Sequence, residues 1–198
     1  MTGHNARSES RSVYIHADES CLGNQNTDRD SPGGAGGLLE YWHNDGWTRR
    51  DFWLSEPATT NNRMALKGAI VALNALKRPC EVVFVSDSQY LVRGASEWIH
   101  GWRRSNWRRK GGVLENAELW QELDAAMRAH RVEWKWVRGH AGHPRNEYAN
   151  YLAIRAAREQ SSSDGVVPSG FEAWLRDQRE KYGRYLDFDE WRGPPLPD

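Results

Sequence analysis

The residue best placed for chemistry is Asp87. It ends a short β-branched and aromatic run, Val82-Val83-Phe84-Val85, and Ser86-Asp87-Ser88 then leads into an amphipathic stretch carrying Tyr90, Leu91, Ile99 and two tryptophans. The run reads as a strand buried on both faces, and the stretch after it as a helix. A carboxylate at the C-terminal end of a buried strand, next to a helix start, is where α/β sheets place metals and phosphates. Its simpler role is to cap the helix. A second chemical signature follows directly. The segment Trp98 to Gly112 holds Arg103, Arg104, Arg108, Arg109 and Lys110, interleaved with Trp102 and Trp107, and has no acidic residue. Cations of this kind contact phosphates, while flat rings pack on sugars or pin the loop.

The elements that must position these groups can be read in order. A polar stretch, residues 1–11, is expected to be a disordered leader. Ser12 to Ala17 is a strand running into Asp18-Glu19-Ser20, and Cys21 to Gly37 reads as turn chemistry. Strands over Leu38–Trp42 and Trp47–Leu54 are joined at Asn44-Asp45-Gly46, a hairpin signal. Thr60-Asn61-Asn62 caps a helix from Arg63 to Leu76. A basic loop, His100 to Gly112, precedes a helix over Ala117–His130, a strand over Val132–Val137 and an Ala-rich helix over Asn146–Glu159. Ser161 to Gly165 is a linker, and the aromatic stretch up to Asp198 is a docked short helix or a mobile tail. The order βββαβααβα describes an α/β domain over residues 12–160, with an extension over 161–198. Its five-stranded mixed sheet has three antiparallel strands and two parallel additions.

Composition narrows the class. Lys plus Arg and Asp plus Glu are both 27 in 198 residues, so net charge selects no partner. No apolar stretch approaches the roughly 20 residues of a membrane span, and the N-terminal residues lack an apolar signal core. Cys21 and Cys80 have no metal-binding spacing and are expected to be free thiols of a cytoplasmic, monomeric protein.

Four local strings, in this order, resemble the type 1 ribonucleases H, bacterial enzymes that cut the RNA strand of RNA–DNA hybrids. They are Asp18-x-Ser20-Cys21-Leu22-Gly23-Asn24, Thr59-Thr60-Asn61-Asn62-Arg63-Met64, Ser86-Asp87-Ser88-Gln89-Tyr90 and Gly139-His140-Ala141-Gly142-His143-Pro144. The Trp/Arg segment from Trp98 to Trp107 is similar too. The resemblance implies the ribonuclease H-like fold and hydrolysis with two Mg²⁺ (or Mn²⁺) ions held by four carboxylates. It places Asp18 and Asp87 at the first and third of those positions and His140 at a loop histidine that helps move protons or product.

The other two positions depart from the family. Ala65 stands where the family has glutamate, and Asn150 where it has aspartate. Asn150 keeps a carbonyl oxygen for a metal without the charge. Glu19 is expected on the opposite sheet face from Asp18, because strand side chains alternate and only a bulge would change that. Glu147 is expected as a surface residue of a first helical turn, and Asp28 and Asp30 as part of a solvated insert over residues 25–31. On this reading the metal site is depleted and cleavage is weak or lost.

The binding residues implied by the resemblance are present. They are Cys21, Asn24, Thr60, Asn61, Asn62 and Gln89 toward the minor groove and DNA phosphate, and Trp98, Trp102, Arg103, Arg104, Trp107, Arg108, Arg109 and Lys110 as a handle for the DNA strand. Two other readings stand beside a hydrolase of RNA–DNA hybrid. One is a non-catalytic hybrid-binding module, natural or deliberately inactivated. The other is an enzyme of shifted chemistry that uses Glu19 or Glu147.

Overall fold

The computed structural model describes residues 12–23, 31–43, 46–109, 111–139 and 142–189. The leader, Asn24, Asp28 and Asp30 of the insert, Lys110, His140 and the last nine residues lie outside them. One mixed sheet has the strand order β5-β4-β1-β2-β3-β6. Its members are β1 (Ser12–Cys21), β2 (Ser31–His43), β3 (Gly46–Thr59), β4 (Glu81–Ser86), β5 (Arg131–Trp136) and β6 (Val167–Pro168). β1, β2 and β3 are antiparallel, and β4 and β5 add in parallel. That is the expected five-stranded arrangement with a sixth strand, short and antiparallel, from the C-terminal extension. His43 pairs with Gly46, so β2 and β3 form the hairpin expected around Asn44-Asp45-Gly46.

Two elements differ from expectation. The glycine-rich stretch read as turns is strand from Ser31 onward. Its glycines are there because helix α5 (Pro144–Glu159) lies directly on the backbone. A Cβ at Gly34 would sit 2.3 Å from the Ala153 carbonyl, and one at Gly36 2.5 Å from the Leu152 Cβ. Glycine in mid-strand marks such a close approach. The basic segment is also less of a loop than expected. α2 (Gln89–Arg93) continues through a π-helical turn, Gly94–Trp98, into α3 (Ile99–Arg104).

The larger core lies between the sheet and helices α1 (Asn61–Asn74), α2 and α4 (Ala117–Met127), with Ile15, Phe52, Leu66, Phe84 and Trp120 fully buried. α5 covers the other face. Against α5 and β2 packs α6 (Phe171–Tyr182), through Leu38, Tyr148, Leu152, Phe171 and Leu175. The aromatic tail is therefore docked as far as Phe188.

Candidate metal and nucleic-acid site

β1 runs past the end of β4. Their parallel pairing stops at His16 opposite Val85, so Asp18 and Glu19 lie where β4 has given way to Asp87 and the start of α2. Carboxylate oxygens of Asp18, Glu19 and Asp87 lie within 4.8 Å of one another. Asp18 is 7% exposed; one of its oxygens accepts the Glu19 backbone N–H at 2.7 Å and the other the Asn146 amide at 3.3 Å. Gly139 allows the β5–α5 loop to pass the site, since a Cβ there would sit 2.2 Å from Asp87 Oδ2. The Trp136 indole donates to the Asp87 carbonyl at 3.0 Å, fixing the backbone that carries the carboxylate.

Electrostatics mark the cluster as built for cations. Burial, then the charges of Asp87 and Glu147 and a hydrogen bond to Asp87, raise Asp18 to about 8 against the opposing Glu19 N–H. Burial, Asp18 and Asp87 also hold Glu19 well above the usual carboxylate range, and a hydrogen bond with Ser88 only partly offsets this. Three hard oxygen donors this close repel one another, and Asp18 and Glu19 hold their protons tightly; a divalent ion would relieve the same repulsion. The Asn146 Oδ1, buried and without a protein partner, is one more oxygen beside the cluster. The residues fit such an ion.

Glu19 is the principal correction to the sequence reading. Alternation puts it on the strand face of Ala17 and Cys21, and these two pack toward α1: Ala17 in the core cluster that includes Ala65, Cys21 against Met64. The expectation that this excluded it from the site assumed a sheet separating the two faces. Past His16 no β4 backbone intervenes, so carboxylates from both faces meet at the open edge. No bulge interrupts the β1–β2 register there.

The other expected site residues fall as follows. Ala65 is buried in the main core. Asn150 lies one helical turn beyond Asn146 on α5, half-buried. Glu147 is more than a surface residue, because its charge reaches Asp18. Asn146 was not singled out from the sequence; its place four residues before Asn150, on one helical face, is the signal that could have found it.

On the nucleic-acid side, Thr60 caps α1, accepting the Arg63 N–H at 3.4 Å; Asn61 and Asn62 open that helix, and Gln89 is exposed at the start of α2. Cys21 is buried against Ala35 and Met64, so its thiol faces the core rather than a ligand. Arg103 pairs with the buried Asp124, which also binds Arg128, so it is a structural cation. Arg104, Arg108 and Arg109 are exposed. Trp102 packs at a tilt against Trp120, ring centroids 5.0 Å apart, and Trp107 packs on the core, so both pin the segment. Trp98, Trp102, Tyr90 and Arg109 line an open groove of about 410 Å³.

Comparison with known proteins converges on one family. The RNase H family profile matches residues 10–158. Proteins named Ribonuclease H from Klebsiella pneumoniae and Herminiimonas arsenicoxydans are 44% and 47% identical over 160 and 152 residues. The matches span 80% and 76% of this chain, and 97% and 98% of theirs. A solved structure, LC9-RNase H1, described as a type 1 RNase H with the type 2 active-site motif, is 49% identical with a TM-score of 0.81, covering 88% of this chain and 84% of that one. The foamy virus protease-reverse transcriptase bound to RNA/DNA hybrid shares the fold at 16% identity, with a TM-score of 0.59 over 76% of this chain and 20% of that one.

Proposed function

The chain belongs to the ribonuclease H family, and from that premise we propose that it hydrolyses the RNA strand of RNA–DNA hybrids at the Asp18–Glu19–Asp87 cluster. The observation that carries this is the convergence of three carboxylates within 4.8 Å. It favours the reading in which chemistry is retained with a shifted ligand over the reading in which it is lost. The family position on α1 is Ala65, which has no carboxylate, and the neighbouring strand position supplies Glu19 instead. Departure from the usual type 1 set is also described for LC9-RNase H1.

Asp18, Glu19 and Asp87 would hold Mg²⁺ or Mn²⁺, two ions by family analogy, with the carbonyl oxygens of Asn150 and Asn146 as neutral supplements. Bound there, divalent ions supply an activated water and neutralise the leaving oxygen. The chain's own residues do the rest. Asn146 and the Glu19 N–H orient Asp18, Trp136 fixes the Asp87 backbone, and His140 is assigned the proton-handling role. Arg104, Arg108 and Arg109 contact phosphates of the DNA strand, while Asn61 and Gln89 face the minor groove, where the 2′-hydroxyl separates RNA from DNA. The enzyme acts as a monomer in the cytoplasm, its Cys21 and Cys80 free. Among the described residues no helix is long and apolar enough to cross a membrane.

The test is cleavage of a labelled hybrid by the chain and by Glu19→Gln, with hybrid affinity measured without metal. Cleavage that Glu19→Gln abolishes while affinity stands is the expected result. Hybrid binding with no cleavage by the parent chain in either metal makes it a binding module instead.

A further inference from the structure

Residues beyond the family match complete a cage of charged and aromatic side chains around the start of the helix that carries Asn146 and Asn150. Glu40 on β2 is 1% exposed and accepts from two guanidiniums: Arg49 of β3 at 2.7 Å and Arg145 of the first α5 turn at 2.5 Å. Both guanidiniums lie 5.9 Å from the Trp47 ring. The extension supplies a second ring to each, Phe171 at 5.3 Å from Arg49 and Phe188 at 5.1 Å from Arg145. It also adds Glu172 as a second carboxylate for Arg49, at 2.7 Å. A second anchor gathers at Tyr148. The Tyr148 hydroxyl donates to Asp51 at 2.6 Å, and that carboxylate also accepts from Ser169 and from the Gly170 N–H.

A buried ion pair needs nearly all its donors and lone pairs satisfied, or its desolvation exceeds its attraction. Glu40 meets that condition through hydrogen bonds from both arginines, and each guanidinium also lies over a ring from residues 171–188. Arg145 is next to Asn146, which donates to Asp18. The path from extension to metal cluster therefore runs through four residues and three links: Phe188, Arg145, Asn146, Asp18. Arg179 holds the Phe188 end of this path, donating to the Tyr185 and Phe188 carbonyls.

We propose that the C-terminal extension is a positioning element for hydrolysis, its Phe188 ring seating Arg145 on Glu40 and so fixing the first turn of α5 against the carboxylate cluster. The inference rests on the hydrolytic reading above. Phe188 acts through Arg145 and touches neither substrate nor metal.

The test uses the full chain with Phe188→Ala, with Phe188→Trp to restore a ring, and with Glu172→Gln, which removes the second carboxylate of Arg49 while keeping the side chain's size. Amide hydrogen exchange at residues 145–150 should quicken by about three- to ten-fold in Phe188→Ala, the scale of one cation–π contact. kcat on hybrid should fall by a similar factor while KM holds within about two-fold, since only the transition-state geometry is disturbed. Phe188→Trp should restore both, and Glu172→Gln should reproduce the loss more weakly. Unchanged exchange overturns the proposal, and so does faster exchange with kcat intact, which makes the contact purely structural. Should the parent chain itself fail to cut, the hydrolytic reading falls alone. Exchange, together with the Mg²⁺-induced rise in melting temperature, then decides the inference, and an undiminished rise in Phe188→Ala refutes it.

Discussion

Transposing one carboxylate tests the site most sharply. The perturbation is a set of three proteins: Glu19→Ala, Ala65→Glu, and the two together. Glu19 lies within 4.8 Å of both Asp18 and Asp87, and by strand alternation it faces the side on which Ala65 is buried. Removing it takes away one of three charged donors. Hybrid cleavage should fall by about 10²–10⁴-fold, or roughly 3–6 kcal/mol of transition-state stabilisation. Ala65→Glu with Glu19 retained adds a fourth buried carboxylate to a cluster already rich in repulsion. Two charges 4.8 Å apart at an effective dielectric near 20 repel by about 3 kcal/mol. The metal-free protein should then melt about 6–12 °C lower.

The double variant returns the charge to the helix and removes the crowding. It should regain cleavage to within about ten-fold of the parent, the cost of one imperfectly placed ligand. The assays are cleavage of an end-labelled hybrid in Mg²⁺ and Mn²⁺, and thermal melts in EDTA and in Mg²⁺. Glu19→Ala cutting as fast as the parent refutes the reasoning outright. A double variant no better than Glu19→Ala shows that the strand and helix positions do not share one space.

Three further outcomes follow from the same geometry. In EDTA, stability should fall as pH rises from about 4 to about 8, because the unfolded chain releases the Asp18 proton near 3.8 and the folded chain only near 8. That loss has a ceiling of about 6 kcal/mol at 1.36 kcal/mol per pH unit; Mg²⁺ at ten times its dissociation constant should restore about 1.4 kcal/mol at pH 8, and a pH-flat melting temperature would contradict the burial argument. Replacing Arg104 and Arg108 with alanine should flatten the slope of log affinity against log salt by about 1–2, whereas Arg103→Ala should chiefly lower the melting temperature, since it leaves Asp124 short of a partner. Gly36→Ala should destabilise by about 1–3 kcal/mol and depress cleavage together, because its Cβ would press α5 off the sheet; an unaffected melt would mean the helix has slack there.

Much of this was legible in the residues. The Val82–Val85 run, the Asp-Gly hairpin, the Thr60 cap and the Ala-rich helix each carried a local signal strong enough to place the element. What escaped was decided by packing between distant segments. The glycines of β2 read as turn residues because a helix lying on the strand leaves no mark in the local pattern. β6 is two residues long, too short to show a period, and it exists because Asp51 gathers Ser169, Gly170 and Tyr148. Arg103 was indistinguishable by composition from Arg104 and Arg108, and only Asp124, 21 residues away, separates its role from theirs.

Glu19 shows why alternation is a rule about sheets rather than about strands. Side chains at Asp18 and Glu19 are assigned opposite faces, and in the middle of a sheet the neighbouring backbone keeps such faces apart. The rule loses its force where a neighbour ends. β4 stops at Ser86, and the carboxylate of the next residue, Asp87, comes within 4.8 Å of those of Asp18 and Glu19. A carboxylate on either face of β1 then reaches the same point, with Asp18 held in by its hydrogen bond to the Glu19 N–H and Glu19 by Ser88. Helix α1 can consequently give up its carboxylate at Ala65 while the cluster keeps three acidic groups. A ligand set inferred position by position records such a site as depleted. Counted by the space that the side chains reach, the donors still converge.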